Sequence, residues 1–152
     1  MNVAVAEGEK MENYKIAVDK GGRIGHAVTN IQTQINLGLK KGYDGFDQEK
    51  GEVLSFLTDL YKKAIENGRN FVPFVVTESV ITYAFPGDNG PVACHEPALL
   101  LTADKSPLYG DESEEEWKEL VEEYACLLAY RFEQFRVYVT YTRVETKVFQ
   151  RA

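Results

Sequence analysis

The sequence predicts an α+β fold in which an antiparallel sheet of βαββαβ order carries its helices on one face. Three observations lead there: two segments that each show one apolar stripe at helical spacing, a β-rich stretch that turns back on itself at "PGDNG", and a closing run in which apolar and polar residues alternate. Right-handed crossovers between strands of one sheet put both helices on the same side. With 152 residues, 44% of them hydrophobic and 27% charged, the chain has apolar material for one such core. Residues 13 to 152 are read as a single domain behind a short flexible leader, residues 1 to 12.

"YKIAV" (14 to 18) reads as the first strand and is stopped by "DKGG". In "RIGHAVTNIQTQINLGLKKGYDG" (23 to 45), Ile31, Ile35 and Leu39 keep helical spacing, against the weakening effect of Gly25, Gly38 and several β-branched neighbours. This stretch is read as a helix that elaborates the first crossover. "GEVLSFLTDLYKKAIENG" then places Val53, Leu54, Leu57, Leu60, Tyr61, Ala64 and Ile65 on one helical face and ends at a good C-cap, Asn67-Gly68.

Two strands about "PGDNG" follow, with Pro73 marking an irregular start to the first of them. The polar link "KSPLYGDESEEE" holds Ser113 and Glu116 at capping-box spacing. It opens a helix whose stripe is Trp117, Leu120, Val121, Tyr124, Leu128 and Phe132. The chain closes with Val137, Val139 and Tyr141 alternating with polar or aromatic neighbours, then a weaker run from Val144 to Phe149, as one bent strand or a small hairpin. The order is the ferredoxin-like plan with an enlarged first crossover.

The formal charge is −7, from 24 acidic and 17 basic residues, which argues against a broad grip on nucleic-acid phosphates and suits a small cation. Cys94 and Cys126 lie far apart, with no CxxC and no histidine at ligand spacing, so neither a metal site nor a disulfide framework is indicated and a reducing cytosol fits. No apolar stretch approaches the roughly 18 residues of a membrane span. The acidic cluster from Glu112 to Glu116 stands at a helix N-terminus, where the helix dipole favours negative charge.

Candidates for chemistry are few. "GGRIG" matches neither the P-loop nor the full dinucleotide fingerprint. His26 and His95 each lack a hydroxyl residue two positions on, so they do not form the paired His-x-Thr arrangement of a phosphodiesterase. Cys94 and His95, adjacent in a strand, point to opposite faces and cannot pair. The hairpin offers more. With its turn centred between Asp88 and Asn89, Tyr83 falls opposite Cys94 and Ile81 opposite Glu96, so Tyr83 and Glu96 become diagonal neighbours about 7 Å apart on one face. A one-residue slip in register would separate them.

From Glu52 to Phe149 the succession of features resembles the phage-encoded S-adenosylmethionine lyases, once called SAM hydrolases. It runs through an amphipathic helix ending in "ENG", the strand "VTESVITY", a short turn, the Glu-led aliphatic strand "HEPALLLT", a helix rich in Ala and Leu, and "FEQFRVYV" leading a final strand. The chain departs from that pattern at Ile81, where a glycine commonly precedes the tyrosine, and residues 19 to 50 have no placed counterpart.

The resemblance implies that Tyr83 and Glu96 belong to an active site without metal or cofactor. It implies that the substrate is S-adenosylmethionine, whose own carboxylate displaces methylthioadenosine to leave homoserine lactone. It further implies a homotrimer with shared active sites, acting in the cytoplasm of a bacterial host as a counter-defence enzyme; the charge and the short apolar runs add the expectation of neither nucleic acid nor membrane as partner. The competing reading is a non-catalytic protein of the same fold, either an acidic inhibitor or one that sequesters a small molecule.

Overall fold

The computed structural model describes residues 14–16, 28–42, 45–105 and 112–151. The leader, "GGRIG" and His26 lie outside the described residues. The elements in order are β1 (Tyr14–Ile16), β2 (Val28–Gly38), α1 (Lys50–Glu66), β3 (Val75–Gly87), β4 (Gly90–Asp104), α2 (Glu114–Arg131), β5 (Tyr138–Thr146) and β6 (Phe149–Arg151). Four of the strands form an antiparallel sheet in the order β3-β4-β2-β5, which is the ferredoxin-like order with β2 as the first strand of the βαββαβ unit.

That assignment corrects the sequence reading at two points. The segment read as a helix is β2, a central strand paired with β4 on one side and β5 on the other. A spacing of four fits both a helix and a strand, because four is also two periods of a strand. The residues between decide. Thr33 and Leu37 are as buried as Ile31 and Ile35, so the burial period is two, and the β-branched residues suit it. The crossover from β2 to β3 is therefore α1 with its flanking loops.

The second correction concerns "YKIAV". Only Tyr14–Ile16 is described as strand, and it pairs with β6 in a separate two-stranded ribbon instead of opening the sheet. The run after Val144 is accordingly neither a bend nor a hairpin on β5.

Both helices cover one face of the sheet. Ile31, Thr33, Ile35 and Leu37 of β2 point towards them, as do Leu99, Leu101 and Ala103 of β4. From the helices come Val53 and Leu57 of α1 and Trp117, Val121, Tyr124, Ala125 and Leu128 of α2, followed by Phe132. The apolar stripe of α1 is narrower than expected, since Leu54 and Ile65 are exposed. The helices meet through rings: Phe56 stands edge-on to Phe132 with centroids 5.8 Å apart, and Tyr61 lies 6.2 Å from Tyr124. Among the described residues no helix is long and apolar enough to cross a membrane.

One polar side chain interrupts this core. Thr33 is fully buried, and its Oγ1 accepts a 3.2 Å hydrogen bond from Trp117 Nε1, which gives the indole N–H a partner and locks α2 to the centre of the sheet. At the core's edge, the Tyr141 hydroxyl donates to Glu122 Oε2 at 2.8 Å, and burial followed by that carboxylate pushes its pKa upward.

The helix ends follow local rules. Ser113 and Glu116 form the expected capping box before α2. Both C-termini are Schellman motifs: Arg69 N–H reaches Ala64 O at 2.8 Å after α1, and Gln134 N–H reaches Ala129 O at 2.9 Å after α2. The left-handed residue is Gly68 (φ 65°) in the first and Glu133 (φ 50°) in the second.

The hairpin outruns the sheet. β2 ends opposite Ala98, whereas β3 and β4 stay paired through Val80 with Pro97 out to Gly87 with Gly90, so this stretch stands as a two-stranded arm. The positive φ at its turn is taken by Gly90.

Two outcomes test these assignments. Trp117→Phe keeps the ring in the core and strands the buried Thr33 hydroxyl, which should cost about 1–3 kcal/mol in chemical denaturation; an unchanged midpoint would refute the role of this bond. Glu133→Gly relieves a left-handed side chain and loses only the exposed 2.7 Å ion pair with Lys41. It should raise stability by roughly 0.5–1 kcal/mol, and a lower melting temperature would show the ion pair to be the stronger term.

Candidate functional site

The face of the sheet turned away from the helices divides by chemistry. Across its middle it is polar, with Gln32, Gln34 and Asn36 of β2 beside Thr140 and Thr142 of β5 and Thr102 of β4. Towards the arm it becomes aromatic and apolar, with Tyr83, Phe85 and Val92 on the hairpin and Tyr138 at the start of β5. At this end a cavity of about 350 Å³ opens, lined by strand residues that include Asn36, Gly38, Ile81, Tyr83, Glu96 and Tyr138. The loop from α2 to β5 closes one side with Gln134, Phe135 and Arg136.

The structure brings the two predicted site residues together. Tyr83 pairs with Cys94 and Ile81 with Glu96, the expected register, so Tyr83 and Glu96 are diagonal neighbours on the cavity face. The two-residue turn at Asp88 and Asn89 fixes that register. Tyr83 stacks on Phe85 with ring centroids 6.5 Å apart. His95 points to the opposite face from Glu96 and Cys94 and is exposed. Among the described residues no three His, Cys, Asp or Glu side chains gather as a metal would require.

Sequence reasoning missed Gln134 and Gly38. The Schellman turn sets the backbone of Gln134, and its side-chain amide then donates twice, to Lys40 O at 2.8 Å and to Phe132 O at 2.9 Å. With both amide hydrogens engaged, Oε1 is directed at β2 as an acceptor, 2.7 Å from the point a Cβ at position 38 would occupy. Glu96 Oε1 lies 3.5 Å from that same point. No local pattern marks either residue. "LGLKK" and "FEQFR" become neighbours only when the loop after β2 meets the end of α2, through Gly42 N–H to Glu133 O at 3.1 Å and Gln48 Nε2 to Phe132 O at 2.8 Å.

The arrangement offers a carboxylate and an amide oxygen at the floor of a cavity with aromatic rims. With the Arg136 guanidinium in the same lining, it is equipped to hold a ligand that carries N–H groups in need of acceptors and apolar parts in need of cover.

No family model matches the chain, and no curated protein matches it in sequence. Two solved structures share its fold. One is a phage SAM lyase in complex with S-methyl-5′-thioadenosine, with a TM-score of 0.52 and 14% identity over 81% of this chain and 90% of that one. The other is a phage SAM lyase in the apo state, with a TM-score of 0.51 and 15% identity over 82% of this chain and 90% of that one. The four-stranded antiparallel sheet with two helices on one face thus belongs, in this chain, to the fold seen in the phage SAM lyases.

Proposed function

We propose that the protein is a lyase that cleaves S-adenosylmethionine to methylthioadenosine and homoserine lactone, acting in the cytoplasm of a bacterial host as a phage counter-defence enzyme. The observation that carries this reading is the meeting of Glu96 and Tyr83 at one cavity, in a chain whose fold is shared with a phage SAM lyase that binds methylthioadenosine. A volume of about 350 Å³ lies within the roughly 300–1,000 Å³ of small-molecule sites.

The reaction needs no group from the protein to form a bond. A carboxylate oxygen of the methionine moiety attacks its own γ-carbon. The carbon–sulfur bond breaks, and its electron pair neutralises the sulfonium as methylthioadenosine leaves. The protein must bend the chain into attack geometry and keep water away. Glu96 holds the ammonium group, which keeps the substrate carboxylate free to attack. Tyr83 orients the substrate, and the aromatic rims shelter the sulfonium until its charge disappears.

The cavity is incomplete in one subunit. Tyr83 is 42% exposed, Tyr138 62% and Phe135 71%, and the arm has exposed residues on both faces. Lactone formation in competition with water calls for a cover, and a homotrimer that sets this face against a neighbouring subunit supplies it.

The acidic-inhibitor reading has less support. Five of the carboxylates between residues 112 and 123 are engaged within the chain: Glu114 with Arg143 and Lys118, Glu122 with Tyr141, Glu123 with Arg69, Glu112 with Asn70 and Glu116 in the cap. The Arg143 guanidinium, aided by Lys118, holds the Glu114 carboxyl below its ordinary pKa.

Purified protein incubated with S-adenosylmethionine should yield methylthioadenosine and homoserine lactone by mass spectrometry. Glu96→Gln should fold normally and lower turnover on the order of 10²-fold or more, and Tyr83→Phe should lower it less. Wild-type turnover in Glu96→Gln would remove the residue from the site. Binding of S-adenosylmethionine without product would leave a sequestering protein. Light scattering should report three subunits at micromolar concentration, and a monomer would end the shared-site proposal.

A further inference from the structure

We propose that Glu96 Oε1 and Gln134 Oε1, which both lie against Gly38, together receive the ligand's protonated primary amine, and that Gln134 is a second binding residue that sets which ligands are accepted. The proposal deepens the lyase reading and rests on it.

Gly38 has no backbone conformation that requires glycine. Gly38 ends β2 in register with Ala98, and the positive-φ glycines among the described residues are Gly42, Gly68 and Gly90. A glycine in a strand weakens it and is found where something must approach the backbone closely. Here Glu96 Oε1 and Gln134 Oε1 both lie within 3.5 Å of the position that the absent Cβ would fill. One acceptor is a carboxylate on the hairpin, and the other is neutral but fixed by its two bonds to backbone carbonyls.

An alkylammonium group has three hydrogens to place and a centre about 2.8–3.0 Å from each acceptor, so it can use two such oxygens of the same cavity at once. A quaternary ammonium or a sulfonium, which has no N–H, gains nothing from Gln134. The sulfonium of the substrate is therefore directed to the aromatic rims and the amine to the floor, and the two positive charges of one ligand are told apart by hydrogen bonding.

Gln134 also explains how the charge on Glu96 can serve geometry. A carboxylate alone attracts an ammonium from many directions; a second acceptor at a fixed point selects one. Moving Gln134 to accommodate a Cβ at position 38 would break its bonds to Lys40 and Phe132.

The test compares S-adenosylmethionine with its analogue carrying hydrogen in place of the α-amino group, by calorimetric binding to the wild type, Gln134→Met and Gly38→Ala. The wild type should prefer the amine-bearing ligand, and Gln134→Met should weaken that ligand on the order of 10-fold while leaving the deaminated one unchanged. Gly38→Ala should erase the preference by displacing Gln134 Oε1. Should Gly38→Ala fail to fold, the wild-type preference and Gln134→Met still decide. Equal weakening of both ligands would mean a purely structural role and overturn the proposal, as would a wild type without preference; lyase turnover in the same sample would leave the reaction assignment standing. Amine preference without product would do the reverse. A wild type that binds neither ligand would remove both.

Discussion

The alternation along β2 is the constraint on which the rest depends. As the central strand it must satisfy two environments, residue by residue. Ile31, Thr33, Ile35 and Leu37 enter the core under the helices, whereas Gln32, Gln34, Asn36 and Gly38 form the opposite surface. A shift of one residue would put amides under Trp117 and leave the aliphatics uncovered, so the two faces specify the register together. The Thr33–Trp117 bond adds a directional element to an otherwise apolar contact. With β2 fixed, the hairpin's position beside it and the floor of the cavity follow.

Much of this was legible in the sequence because the signals were local. The capping box, the Gly68 C-cap and the two-residue turn each depend on a few adjacent residues, and each takes the expected form. The turn fixes a register, and the register places Tyr83 beside Glu96, so a local rule reached a pair thirteen positions apart. β2 was misread because Ile31, Ile35 and Leu39 satisfy both periods, and the deciding residue, Thr33, is polar in composition and apolar in location. β1 was misplaced for a different reason: a short apolar run does not say which partner it will find, and here the partner is the chain's last strand.

Gly38 and Gln134 were beyond sequence reasoning of that kind. A glutamine after a helix and a glycine at a strand end are ordinary residues in isolation. Their meaning comes from a turn, two backbone carbonyls from different loops and the absence of one carbon atom. The same corner uses a non-glycine residue in the left-handed conformation, held by the Schellman bonds and by Gly42 N–H to Glu133 O. The backbone there departs from its easiest form where the candidate site needs a fixed acceptor.

The arm built from the distal halves of β3 and β4 adds a mechanical aspect to the site. Two strands without a third neighbour are marginal in water, and beyond Ala98, apart from the Leu39 N–H that reaches Pro97 O, no third strand is paired with the arm among the described residues. Its amides belong to the part of the molecule that opens at lower free energy than the core. One wall of the cavity, with Ile81, Tyr83 and Glu96, stands on this compliant element, while Gly38 and Gln134 stand on the core strand and a pinned turn. The two walls thus differ in stiffness. A molecule that spans them acts as a strut, transferring the rigidity of the body to the arm, so occupancy is legible as slowed amide exchange in residues that never touch it.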